Sequence, residues 1–421
     1  MIMLKSIWNY LTYVFRPVPG DIAPLNAPRA IGVFAVITTH LSQTLEQHDR
    51  ILNFSPYWKN FYDSASQFMD MFFVLSGFLI AGPLIARMEA GKGLKFGEYF
   101  LKRTLRIFPA YYIFITLYAF VLMPATLGKN ATPDTAQHIE QTQQNAIVEY
   151  LYLSNYMEGI QYHTWSLALE EQFYLLIPFF LAFIYIRTPE RLRNRLLISL
   201  YLMPFLYRLW AHFTFMAELP PSGPEMEHAY HKYIYHPFHG HADSLLMGVI
   251  IGRLHVTGPQ KLQEFFNRKK LNIVILSVAA IIVGLNSLLV NEFTYGFFSQ
   301  VIRFNVFNMF YGYFLLFLAY RPDFWISKIF AWNIFSAPAK LTYTTYILHV
   351  VGSLPATALL IGLDGYVEHK FVLFYGVATG AFVMLLAYFY YLVTERPFMI
   401  LRDVIISKMK GKPLPPMPAP P

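Results

Sequence analysis

The sequence predicts an all-α, polytopic membrane fold with about ten transmembrane helices and both termini in the cytoplasm, and three observations predict it. Of 421 residues, 56% are hydrophobic and only 14% are charged, and the mean hydropathy is +0.39, far more apolar than an ordinary soluble domain. Apolar stretches of roughly 20 residues, the length a helix needs to cross a bilayer, recur along the chain. Lys and Arg also alternate in density from loop to loop, with 26 of the 33 on one side, which the positive-inside rule makes the cytoplasm. That alternation supports an even number of spans, since one missed helix would scramble it.

Taken in order, residues 1–24 read as an interfacial helix and a linker. Leu4, Ile7, Trp8, Leu11, Val14 and Phe15 recur at helical spacing. Asn9 breaks the apolar run and no small-residue cleavage site precedes Pro17, so the segment does not read as a signal peptide. The transmembrane domain is expected over 25–398, with spans near 27–45, 68–87, 106–125, 165–186, 196–216, 239–256, 271–290, 301–319, 341–361 and 371–393. Polar residues interrupt the first and sixth, and the interruptions carry the functional information. Residues 399–421 read as a basic, proline-rich cytoplasmic tail. There is no cysteine, which excludes disulfides, thiolate nucleophiles and Cys-ligated metals. The net charge of +8 lies in the loops of one side, so it speaks for a lipid bilayer and not for a nucleic-acid partner.

The first span, RAIGVFAVITTH, begins with Arg29 and ends with His40. Eleven residues at 3.6 per turn are about three turns, which puts both side chains on one face about 16 Å apart. Arg29 then lies at the cytoplasmic end, where a snorkelling anchor is the plain alternative, and His40 lies near mid-membrane, where ionisable groups are costly and usually functional. Arg103 and Arg106, in FLKRTLRIFPAYY, are one turn apart at the cytoplasmic start of the third span, and two guanidiniums there suit a phosphate, although positive-inside charge alone accounts for them equally well. Glu170 and Glu171 lie about two turns inside the fourth span and diverge by about 100°, so at least one should face a cavity or a partner. His349 stands about 12 Å into the ninth span, at a depth similar to His40; a core histidine bonded to a neighbouring helix is the alternative.

Asp70 opens the second span, and Ser76–Gly77 beyond it suits close helix packing better than a nucleophilic serine, because no base is evident nearby in sequence. His231, His236, His239, His241 and Asp243 cluster at the outer face. Their irregular spacing favours the polar lining of an acceptor mouth over a metal site, and no metal is expected. Aromatic residues near Trp165 are candidates for stacking on sugar rings.

In this shared order, from about Leu25 to Phe398, the chain resembles the membrane acyltransferase family 3, bacterial O-acyltransferases that modify polysaccharides and peptidoglycan. The motifs are Arg29 with His40, DMFFVLSGFLI, the RxxR before PAYY, WSLALEEQFYLL, HADSLLMG, YTTYILH and TERPF. The resemblance implies transfer of an acyl group, usually acetyl, from cytoplasmic acyl-CoA as co-substrate to a glycan or other small hydroxyl acceptor outside a bacterial inner membrane. Matched position by position, it makes His40 the catalytic histidine, Arg29 its partner, Arg103 and Arg106 the coenzyme-side arginines, and Glu170 or Glu171 the motif glutamate. Asp70, Trp165, His241, Asp243 and His349 are the supporting candidates. Long members of the family carry a soluble hydrolase-like domain that this sequence lacks, so either direct transfer or a separate periplasmic transferase is expected. On the chemistry of the residues, His40 would act as a general base tuned by a carboxylate such as Glu171, or form a transient acyl-imidazole. A transporter or flippase of a glycan or lipid-linked substrate is the alternative, since ten spans with midplane charges also describe carriers.

Overall fold

The computed structural model describes residues 2–16, 21–128, 132–289 and 296–411, with side chains from Ile7 onward. The proline-rich stretch 412–421 and the side chain of Leu4 lie outside the described residues. The chain runs α1 (Ile2–Leu11), α2 (Asn26–Gln47), α3 (Pro56–Asp63), α4 (Phe68–Glu89), α5 (Phe96–Leu117), α6 (Met123–Leu127), α7 (Pro133–Tyr150), α8 (Trp165–Phe180), α9 (Glu190–Ala211), α10 (Pro224–Tyr230), α11 (Phe238–His241), α12 (Asp243–Thr257), α13 (Pro259–Phe266), α14 (Lys269–Leu289), α15 (Arg303–Tyr320), α16 (Trp325–Phe330), α17 (Ser336–Leu360), α18 (Val372–Thr394) and α19 (Arg396–Lys410). The described strands are a two-residue parallel pair, β1 (Ile51–Leu52) with β2 (Val367–Glu368).

The protein is an all-α polytopic membrane protein. Among the described residues, seven helical stretches are long and apolar enough to cross a bilayer: Pro56–Glu89, Phe96–Leu127, Trp165–Tyr185, Glu190–Met216, Lys269–Leu289, Phe298–Tyr320 and His369–Lys410. The other three expected spans fall on helices outside that set. Two of them, α2 and α17, are long but carry His40 and His349 among threonines and serines, and α12 has only 15 residues. The sixth expected span, 239–256, is divided at Ala242 between α11 and α12. The third begins ten residues earlier than expected: α5 starts at Phe96, and its first turns are amphipathic, which a hydropathy reading cannot see.

The chain folds as two compact units, the described residues of Met1–Ser55, Lys95–Phe114 and Arg321–Pro421 in the first, and of Pro56–Leu94 and Ile115–Tyr320 in the second. In the first, α2, α17 and α18 pack on one another. Gly376 of α18 lies against Thr38 of α2, and Gly380 lies against the Phe34 ring; a Cβ at either would collide, so the small residues allow the close approach. In the N-terminal segment Ile7, Trp8, Leu11 and Phe15 are exposed, whereas Val14 is fully buried with Leu341 and Tyr391, and the Arg396 guanidinium lies 3.6 Å from the Tyr13 ring centre.

In the second unit the tightest pair is α4 with α12. Gly77 sits against the Leu245 carbonyl and Gly248 against the Val74 carbonyl, one turn from Gly82 facing Gly252. GVIIG in α12 is a small-xxx-small face, the pattern that lets helix backbones meet where lipid supplies no hydrophobic drive. Only 11% of the most apolar window of α14 is buried, which leaves the rest of that window open for lipid.

Candidate active site

In the first unit, α2 and α17 bring His40 and His349 together. Their rings stack with centroids 5.1 Å apart at 27°. His40 is partly exposed and His349 fully buried. His40 Nδ1 lies 3.2 Å from Gln43 Oε1, one turn along α2, and His349 Nδ1 lies 2.5 Å from the Tyr346 carbonyl. An amide or carbonyl oxygen only accepts, so both Nδ1 atoms carry the proton and both lone pairs sit on Nε2. Arg29 is half-buried three turns back on α2.

Arg103 and Arg106 lie in the interior of α5, beyond the first turn whose backbone N–H groups are free. Arg103 is half-buried and Arg106 exposed. The Tyr343 and Tyr390 hydroxyls donate to the Ile107 and Ala110 carbonyls at 2.9 and 2.8 Å, which fixes the segment just beyond Arg106 to α17 and α18.

The other candidates lie in the second unit. Asp70 Oδ1 accepts from Ser244 Oγ at 2.6 Å and faces His241 Nε2 at 2.6 Å, while His241 Nδ1 donates to the Tyr235 carbonyl at 2.7 Å. With an acceptor at each ring nitrogen, one proton is held in the Asp70–His241 bond. Asp243 pairs with Arg208 at 2.8 Å, both fully buried, and Arg208 also donates to the Gly240 carbonyl and to Asn305 at 2.7 and 2.8 Å. Trp165 is buried with His236 stacked at 4.8 Å and His241 at 5.7 Å, so imidazoles and not sugar rings cover its faces. Outside the spans, burial holds His231 neutral, pushed down to about 4 with the His228 charge adding to the effect, and holds His236 well below its ordinary value, helped by His231 and His241. Among the described residues no three His, Asp or Glu side chains are grouped to hold a metal.

Glu170 accepts from both Ser76 Oγ and the Tyr174 hydroxyl, and is half-buried, as is Glu171. Gly77 packs as its neighbour's sequence suggested, but Ser76 has a carboxylate partner that sequence spacing did not show. His40 and the two glutamates belong to different units, and the group stacked on His40 is His349.

The chain matches the family described as "Acyltransferase domain" over residues 23–394. It belongs to the family 3 acyltransferases. Among curated relatives, it is 32% identical to the peptidoglycan O-acetyltransferase OatA of Listeria monocytogenes over 183 residues, 39% of this chain and 25% of that one. It is 25% identical over 356 residues, 79% of this chain and 50% of the relative, to a Staphylococcus aureus (strain COL) protein named "Putative O-acetyltransferase", and 31% identical over 201 residues, 44% and 27% respectively, to Bacillus subtilis YrhL, named "Putative peptidoglycan O-acetyltransferase". The acyltransferase thus spans half or less of the length of these relatives. No solved structure matches it.

Two groups at the site escaped sequence reasoning. Gln43 is recognisable in hindsight by its one-turn spacing from His40. Glu395, in TERPF, is a buried carboxylate that accepts from Thr344 Oγ1 at 2.8 Å, with Arg106 and Arg402 the cations acting on it. Its burial follows from the α18–α19 junction, which no local pattern announces.

Proposed function

We propose that the protein transfers an acyl group, acetyl in the simplest case, from cytoplasmic acyl-CoA to a hydroxyl of a cell-envelope glycan on the outer side of a bacterial inner membrane. The names of the relatives favour a peptidoglycan sugar as acceptor. The observation that carries the reading is His40, a partly open imidazole on the polar face of α2 whose tautomer is set by Gln43.

Coenzyme A is polyanionic and stays out of lipid, so its phosphates belong at the level of Arg29, Arg103 and Arg106, and its pantetheine arm reaches along α2 toward His40, a distance of about 16 Å. His40 Nε2 takes the proton of the acceptor hydroxyl as the oxygen attacks the thioester carbonyl. The C–O bond forms, the C–S bond breaks, and the same Nε2 returns the proton to the departing thiolate. The cycle needs no external acid or base. A separate periplasmic transferase is the partner that would extend delivery to acceptors the membrane domain does not reach.

The test is acetyl-CoA binding to the detergent-purified protein. Saturable binding that weakens at least tenfold in Arg103→Ala/Arg106→Ala is expected. A folded wild type that binds neither acetyl-CoA nor other acyl-CoAs overturns the reading and favours a carrier.

A further inference from the structure

His349 is fully buried: Nδ1–H donates to the Tyr346 carbonyl at 2.5 Å, the Tyr346 ring lies 5.1 Å away, and the ring stacks on His40 with centroids 5.1 Å apart. Its own carbonyl accepts from Ser353 Oγ at 2.5 Å, so backbone and side chain of this turn of α17 are both tied down. His40, by contrast, has a long 3.2 Å bond to Gln43 on its own helix and a partly open ring. A general base that collects a proton from one substrate and returns it to another must keep Nε2 in place through both steps, and it is a cation between them.

We propose that His349 is a positioning residue for the transfer, its ring face acting as a fixed plate that holds the His40 ring in one plane and stabilises its transient imidazolium. A neutral aromatic face attracts a cation lying over it, and the attraction grows where water is excluded. The proposal rests on His40 being the base. The role belongs to the ring face, not to the nitrogens, which separates it from a proton relay: the cycle above closes at His40 Nε2 alone, so no proton need pass to His349.

The substitutions follow from that distinction. His349→Phe keeps the face and loses the nitrogens. His349→Asn keeps an N–H for the Tyr346 carbonyl and loses the face. His349→Ala loses both. Steady-state transfer from acetyl-CoA is measured for each in detergent, with donor binding as the check of folding and His40→Ala as the control. The expected result is a kcat about tenfold lower in His349→Asn and His349→Ala with the donor KM unchanged, and within about threefold of wild type in His349→Phe. A folded His349→Phe as slow as His349→Asn means that the nitrogens are needed and overturns the plate; so does a His349→Asn or His349→Ala at the wild-type rate. If His349→Ala does not fold, the Phe and Asn variants decide between themselves. Should His40→Ala itself turn over normally, the reading of His40 as base fails first, and with it the ground for a plate.

Discussion

Two polar clusters, one in each unit, are built differently. In the second unit one cluster of buried charges is closed on itself: Arg208 meets Asp243, Asn305 and the Gly240 carbonyl, and Asp70 meets His241 and Ser244. In the first unit Arg29, His40 and Arg103 are half-buried and Arg106 is exposed, on helices whose backbones are held by tyrosine hydroxyls and small residues. A polar group at membrane depth is expensive, and these units show two ways of keeping one. Full burial within an ion pair makes it a fastener; partial exposure on a fixed scaffold makes it a tool. Substitution should therefore separate stability from activity along this line.

The largest effect is expected at the fastener. Arg208→Ala leaves Asp243 charged and buried, at a cost of about 3–5 kcal/mol, and is expected to abolish a cooperative thermal transition in detergent. Arg208→Met combined with Asp243→Leu removes both charges and should recover most of that loss. If the single variant melts like wild type, closed pairing in the second unit is not what holds it together, and the comparison breaks.

At the tool the signs reverse. His40→Ala is expected to lower transfer by about 10²–10⁴-fold, measured as acetyl-CoA-dependent product formation, with a melting temperature close to wild type. A variant that instead loses stability and keeps activity per folded molecule would make His40 a fastener as well.

The contrast also marks what could be read from the sequence. Apolar length and basic-residue alternation announce α4, α8, α9, α14, α15 and α18, because lipid imposes a local rule on every residue of such a helix. Those rules fade where water or protein replaces lipid, as at the first turns of α5 and throughout α7, whose face of Thr142, Ala146 and Glu149 is buried although its sequence is mostly polar. For the site, spacing along one helix placed Arg29 with His40 and Arg103 with Arg106. The partners of those residues come from tertiary packing, as Asp70 with His241, 171 residues away, shows; no periodicity links such positions. Stacking of His40 on His349 is of the same kind. Val14 shows the reverse case, one member of a helical stripe read as interfacial that is instead covered by α17 and α18.

The smallest expected effect lies in the His231–His236 segment of the second unit, where two half-buried imidazoles stack on each other. His231 stacks on His236 at 4.9 Å, and His236 on Trp165. Burial depresses His231 to about 4 from an ordinary 6.5, so between those pH values the unfolded chain binds the proton and the folded chain does not. Stability from this group is therefore complete above pH 6.5 and is lost as pH falls toward 4, the direction set by a depressed folded-state value in a base. The thermal midpoint should fall through that window, and His231→Phe, which keeps a ring for the stack and cannot charge, should flatten the decline. A decline as steep in His231→Phe as in wild type would mean that this histidine does not carry the pH dependence.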